Sequence, residues 1–169
     1  MPSGGPPYIV AIDWSKRYRI RQLDEMAKYR EKGQVFYLLL VREKDRLGKP
    51  GQRALYVGYS GRHPLTRLAE GHRGFVRSLI DVQKHLKSPR LYVKFGKVSL
   101  CDFKRKRSTF LKEVESALIR RHDPIHNTKS TKSYGGRYII VVNRGNHAPL
   151  KRLVEIRGGM AHALYDMHD

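Results

Sequence analysis

The sequence predicts an α+β fold: a small central antiparallel β-sheet, about three core strands with one extra C-terminal strand, flanked by helices. Three features carry that expectation. Two apolar runs, Gln34 to Arg42 and Arg53 to Ser60, are separated by a polar stretch containing Gly and Pro, as in a hairpin with a long loop. "RLYVKFGKVSL" (Arg90 to Leu100) alternates apolar and polar residues as a strand does. Around these runs lie charged segments whose apolar residues recur at helical spacing.

Taken in order, "YIVAI" (Tyr8 to Ile12) is a short candidate strand. From Ser15 to Lys32 the residues Ile20, Leu23 and Ala27 fit an amphipathic helix, with Ser15 as N-cap and Gly33 as stop. "QVFYLLLVR" is apolar at both parities, so it should be covered on both faces. "EKDRLGKPGQ" (Glu43 to Gln52) reads as a polar loop before the strand "RALYVGYS". Pro64 suits a first helical turn, with Leu65, Leu68 and Ala69 as its stripe. Gly71 and Gly74 interrupt that stripe before a second helical segment, "FVRSLIDVQKHL". Ser108 caps a strong helix that Asp123-Pro124 ends near His122. "YIIVV" (Tyr138 to Val142) is the extra strand, and the stretch from Leu150 on gives a weak helical signal.

The 169 residues suit a single domain, 1–169, and no repeat or linker divides them. A net charge of +20, spread along the chain, points to a polyanionic partner, DNA or else RNA. Cys101 is the only cysteine, which excludes an intramolecular disulfide and suggests an intracellular, cytoplasmic setting. The longest apolar run, "VFYLLLV", is too short to span a bilayer, and "MPSGGPPY" lacks a secretory pattern, so no membrane partner is expected.

In "STFLKEVESALIRRHDPIHN", Phe110, Leu111, Val114, Ala117 and Leu118 gather on one side of a helix. Glu115 lies at the margin of that stripe, where a carboxylate needs a cation or donors to satisfy it. Asn127, just past Pro124, is placed to bridge the loop to the helix by hydrogen bonds to backbone, or else is an ordinary turn Asn. In "LYVGYS", Tyr56, Gly58 and Ser60 share one strand face, and Gly58 leaves room for substrate or for a neighbouring helix.

"VFY", then "YVG" with Ser60, then Arg67, His72, a helix with Glu115 and the ending "DPIHN" occur in an order that resembles the GIY-YIG nuclease family, with some likeness to its restriction-endonuclease branch. The resemblance spans residues 34–127 as a catalytic core, leaving 1–33 and 128–169 as extensions. It implies a GIY-YIG-like fold and Mg²⁺- or Mn²⁺-dependent hydrolysis of DNA phosphodiester bonds by a one-metal route. Tyr37 matches the first-motif tyrosine, Tyr56, Val57 and Gly58 the second motif, Arg67 the arginine, Glu115 the glutamate and Asn127 the asparagine. Val35 departs from the first glycine, and His72 follows Arg67 by five residues where four is common.

In the implied chemistry Glu115 holds the metal, Arg67 holds the non-bridging phosphate oxygens, and Tyr37 acts as base with Tyr56 positioning the water, an assignment that can be exchanged. His72 is an auxiliary base or phosphate contact. Arg62, His63 and Lys94 are candidates for a further basic group. Phosphate contacts are expected from Arg62, Lys104, Arg105, Lys106 and Arg107, and from Lys129, Lys132 and Arg137 in the loop "HNTKSTKSYGGR". A homodimer would suit a palindromic site. The competing readings are a catalytically silent nucleic-acid-binding module and a component of an RNA–protein particle.

Overall fold

The computed structural model describes residues 5–20, 34–44, 47–61, 91–104, 107–127 and 134–158. In chain order these carry β1 (Tyr8–Trp14), β2 (Tyr18–Arg19), β3 (Gln34–Lys44), β4 (Pro50–Tyr59), β5 (Leu91–Cys101), α1 (Arg107–His122), β6 (Ile139–Gly145) and β7 (Leu153–Ile156). The strands form one mixed sheet in the order β4-β3-β5-β1-β6-β7, with short β2 also paired to β5. It curls toward a half-barrel.

This corrects the expectation of a small antiparallel sheet flanked by helices. β1 lies inside the sheet, antiparallel to β5 and parallel to β6. Val10, Ala11 and Ile12 are fully buried there, as a strand covered on both faces requires. The residues after Leu150 are also not helical: β7 pairs antiparallel with β6, Val154 opposite Val141. The segments on both sides of 34–127 therefore complete the sheet.

Two smaller expectations fail for local reasons. Ser15 does not cap a helix. Its N–H donates to the Phe95 carbonyl (2.9 Å) and its Oγ accepts the Phe95 N–H (3.0 Å), so the chain stays extended and continues as β2 against Val93 and Tyr92. The stretch 43–52, expected as a polar loop, is strand at 43–44 and 50–52, because the hairpin ladder runs on to Lys44 opposite Pro50. The remainder of the first expected helix (21–33) and both helical segments between 62 and 90 lie outside the described residues.

The two faces of β3 explain why its sequence is apolar at both parities from Phe36 to Val41. Phe36, Leu38 and Leu40 face a core shared with Val10, Ile12, Trp14, Val57 and the helix. Tyr37 and Leu39 face a second core with Ile20, Leu55, Val93 and Phe95. α1 lays Phe110, Leu111, Val114, Ala117, Leu118 and Ile119 into the first core. Each such side chain contributes at most about 1.5–3 kcal/mol. The helix stops where expected: the Asp123 N–H still reaches the Ile119 carbonyl (2.8 Å), but Asp123 turns to φ 39° and Pro124 cannot extend the ladder.

Buried polar groups fix the far end of the sheet. Asn143 is fully buried; its Oδ1 accepts the Trp14 Nε1–H (2.9 Å) and its Nδ2 donates to the Lys151 carbonyl (2.8 Å). Lys94 is only 3% exposed, and its Nζ donates to the carbonyls of Asn146 and Ala148, both at 2.6 Å. Burial, with the charge of Arg17 second, lowers its pKa to about 8.

Candidate active site

β4 is an edge strand, so its outward N–H and C=O groups need partners other than a neighbouring strand. The segment after α1 and the helix itself supply them. The His126 N–H donates to the Leu55 carbonyl (2.9 Å). Asn127 is buried and pairs reciprocally with Val57, its Oδ1 accepting the N–H and its Nδ2 donating to the carbonyl, both at 2.9 Å. Glu115 Oε1 accepts the Tyr59 N–H at 2.8 Å. Positions 55, 57 and 59 are thus each closed from outside, two of them by residues singled out in the sequence.

The tyrosines approach the same stretch from the other face. Tyr37 is 1% exposed and stacks on Tyr56, ring centroids 5.9 Å apart and planes 19° from parallel. Gly58 lies directly opposite Tyr37 in the hairpin. A Cβ at Gly58 would lie 2.1 Å from Tyr37 Cζ and 2.4 Å from its hydroxyl. The space at Gly58 is therefore filled by the Tyr37 ring tip, not kept for a substrate or helix. Tyr37 Oη and the Glu115 carboxylate consequently flank one peptide group, that between Gly58 and Tyr59. Ser60, at the end of the strand, is buried.

Sequence reasoning passed over Tyr59. It sits three residues after Tyr56, and so falls on the opposite, helix-facing side of β4. Its ring packs against Phe36 at 5.6 Å. Burial raises its pKa, the Glu115 carboxylate raises it further, and Arg107 opposes both. That trio joins Arg107, one of the expected phosphate contacts, to the carboxylate. The alternation of "YVGY" was the available signal.

The other expected residues are dispersed. Lys104 and Arg107 are exposed near the start of α1. Arg137 is engaged by Glu113, to which its backbone N–H also donates (3.1 Å), and its guanidinium lies 4.7 Å above the Phe103 ring. Lys94 pairs in register with Leu38 on the helix-facing side, away from Tyr37 and Tyr56, where its two carbonyl partners hold it. Arg62, His63, Arg67, His72, Arg105, Lys106, Lys129 and Lys132 lie outside the described residues. Among the described residues no three His, Cys, Asp or Glu side chains cluster as metal ligands.

No family model, curated protein or solved structure matches this chain. Its functional reading therefore stands on the residues themselves. Among the described residues no helix is long and apolar enough to cross a membrane.

Proposed function

We propose that the chain is a Mg²⁺-dependent endonuclease of the GIY-YIG type, hydrolysing phosphodiester bonds in DNA. The observation that carries the reading is the approach of Tyr37 and Glu115 to the one Gly58–Tyr59 peptide, from elements far apart in sequence. The net charge of +20 supports a nucleic-acid partner.

Glu115 suits a single-carboxylate metal site. A carboxylate offers about four acceptor positions, and one of them takes the Tyr59 N–H. Mg²⁺ keeps several waters and needs few protein ligands. When bound, the ion would neutralise charge on a phosphate oxygen. The protein's own groups do the rest. Tyr37 is 1% exposed and fixes the Tyr56 ring by stacking, so the half-buried Tyr56 is the tyrosine that would orient a water and take its proton, the exchanged assignment. Asn127 holds the strand that carries Tyr56 and Gly58. Arg67 would pair with the non-bridging oxygens, and His72 would assist.

A second reading has an observation in its favour: Glu115 and Asn127 already close the β4 edge, a role that needs no catalysis. A silent nucleic-acid-binding module would show salt-sensitive binding without cutting. Supercoiled plasmid incubated with Mg²⁺ or with EDTA separates the two. Wild type should nick or linearise only with Mg²⁺. Glu115→Gln, which keeps an acceptor for Tyr59, and Arg67→Ala should each lose about 10²-fold or more. Metal-independent cutting, or wild-type rates in both variants, would remove the proposal. Product ends at one discrete sequence would support a restriction role.

A further inference from the structure

The corner where β2 meets β5 carries a surface that the cleavage reading does not use. Tyr92 is half-buried, and its ring packs against the first core. Arg19 lies directly opposite it on β2, and Leu40 directly opposite it on β3. Residues two apart along a strand share a face, so Arg42 of β3 belongs to the face of Leu40, Tyr92 and Arg19. Arg17 reaches the same face: its guanidinium lies over the Tyr92 ring, 5.2 Å from the centroid. Arg17 and Arg19 are exposed, so this cation–π stack is accessible from outside.

The patch is short of negative charge. The ion pairs among the described residues involve Arg53, Arg137 and Arg157, none of them here. Glu43, next to Arg42, points to the other face and is taken by Arg53 at 3.3 Å. Lys94 lies buried on the face of Tyr92, two residues along β5. After burial itself, the charge of Arg17 is what holds the Lys94 pKa down. Two cations close enough to repel leave a positive field that a bound anion would relieve.

We propose that this corner binds a segment of single-stranded DNA, with one base stacked on the Arg17 guanidinium and the flanking phosphates held by Arg19 and Arg42. A guanidinium plane backed by an aromatic ring is a flat cationic platform, and every base has a π-face to lay on it. In a duplex both faces of a base are covered by its stacked neighbours, so the platform takes only an unstacked base. Arginine forks beside it suit phosphate oxygens. An acidic peptide would answer the charge but leave the flat stack unused. The inference rests on the nucleic-acid part of the reading above and not on cutting.

The test is fluorescence anisotropy in EDTA, using a short labelled oligothymidine strand, a strand of the same length whose sugars carry no bases, and a paired duplex. At fixed salt, wild type should bind the oligothymidine about tenfold more tightly than the abasic strand. Arg17→Lys keeps the charge without the plane, and Tyr92→Leu removes the backing ring. Each should lose that gain while keeping affinity for the abasic strand and the duplex within about twofold. The double variant Arg19→Gln with Arg42→Gln should weaken both single strands alike and flatten the salt slope by about 1.4, two phosphate contacts at about 0.7 each. Circular dichroism confirms that each variant folds; should Tyr92→Leu fail to fold, Arg17→Lys decides. Equal affinity for the two single strands, a gain that survives a folded stacking variant, or an unchanged salt slope in the double variant would overturn the proposal. A base-dependent gain without plasmid cleavage would sink only the nuclease reading, and cleavage without that gain only this one.

Discussion

Strand β4 is finished differently along its length. From Leu55 to Tyr59 its outer edge is closed by His126, Asn127 and Glu115. Near Gln52 the side-chain Oε1 is buried and receives no hydrogen bond. The first stretch is fixed internally and can present a hydroxyl and a carboxylate with little reorganisation. The second stretch leaves one buried acceptor unsatisfied, a cost that the first avoids. One strand thus joins a stretch whose edge groups are answered within the chain to one that carries an unsatisfied buried acceptor.

Removing the closure should have the largest effect. Asn127→Ala would leave the Val57 N–H and carbonyl without their partner and should cost about 2–3 kcal/mol in urea unfolding. A loss below about 0.5 kcal/mol would mean that water replaces the side chain and that the edge is not closed by it. Gly58→Ala should come next, at about 1–3 kcal/mol, because the new methyl meets the Tyr37 ring. In a double-mutant cycle with Tyr37→Leu the two losses should be less than additive. Full additivity would show that the ring does not lie against position 58.

The smallest effect belongs to His122, which ties the helix end to the backbone at Lys151. Its Nδ1–H donates to the Leu118 carbonyl (2.9 Å) and its Nε2 accepts the Lys151 N–H (2.8 Å), which requires a neutral ring. Burial lowers its pKa most; the Leu118 bond opposes this, and Arg121 and Lys151 add to the lowering. The unfolded chain therefore takes up the proton first, near pH 6.5. This contribution is complete above about pH 6.5 and is lost as pH falls through the folded pKa. Urea midpoints should fall more steeply on acidification in wild type than in His122→Gln; parallel curves would exclude this link.

Local signals in the sequence located the hairpin, the helix and its stop. "VFYLLLV" spelled out a strand buried on both faces, and Asp123-Pro124 marked the break correctly. Partnership across long separations was not legible. Nothing in "YIVAI" says that Val10 and Ile12 sit between β5 and β6, because a short apolar run gives burial but no neighbour. Ser15 carried the signature of a helix cap, yet tertiary pairing with Phe95 overrode it. Of the site, Glu115 at the stripe margin and Asn127 past the turn were readable as residues needing partners. Their partners, backbone groups of β4, were not, since a backbone edge leaves no mark in the sequence.

The central claim is that Glu115 and the stacked pair Tyr37 and Tyr56 make a reaction centre around the Gly58–Tyr59 peptide. Paramagnetic broadening by Mn²⁺, read on backbone amides with an uncleavable DNA present, tests it most directly. The account predicts early loss of the Gly58, Tyr59 and Glu115 amide signals in wild type and their persistence in Glu115→Gln. Broadening centred elsewhere, or unchanged by that substitution, would contradict it.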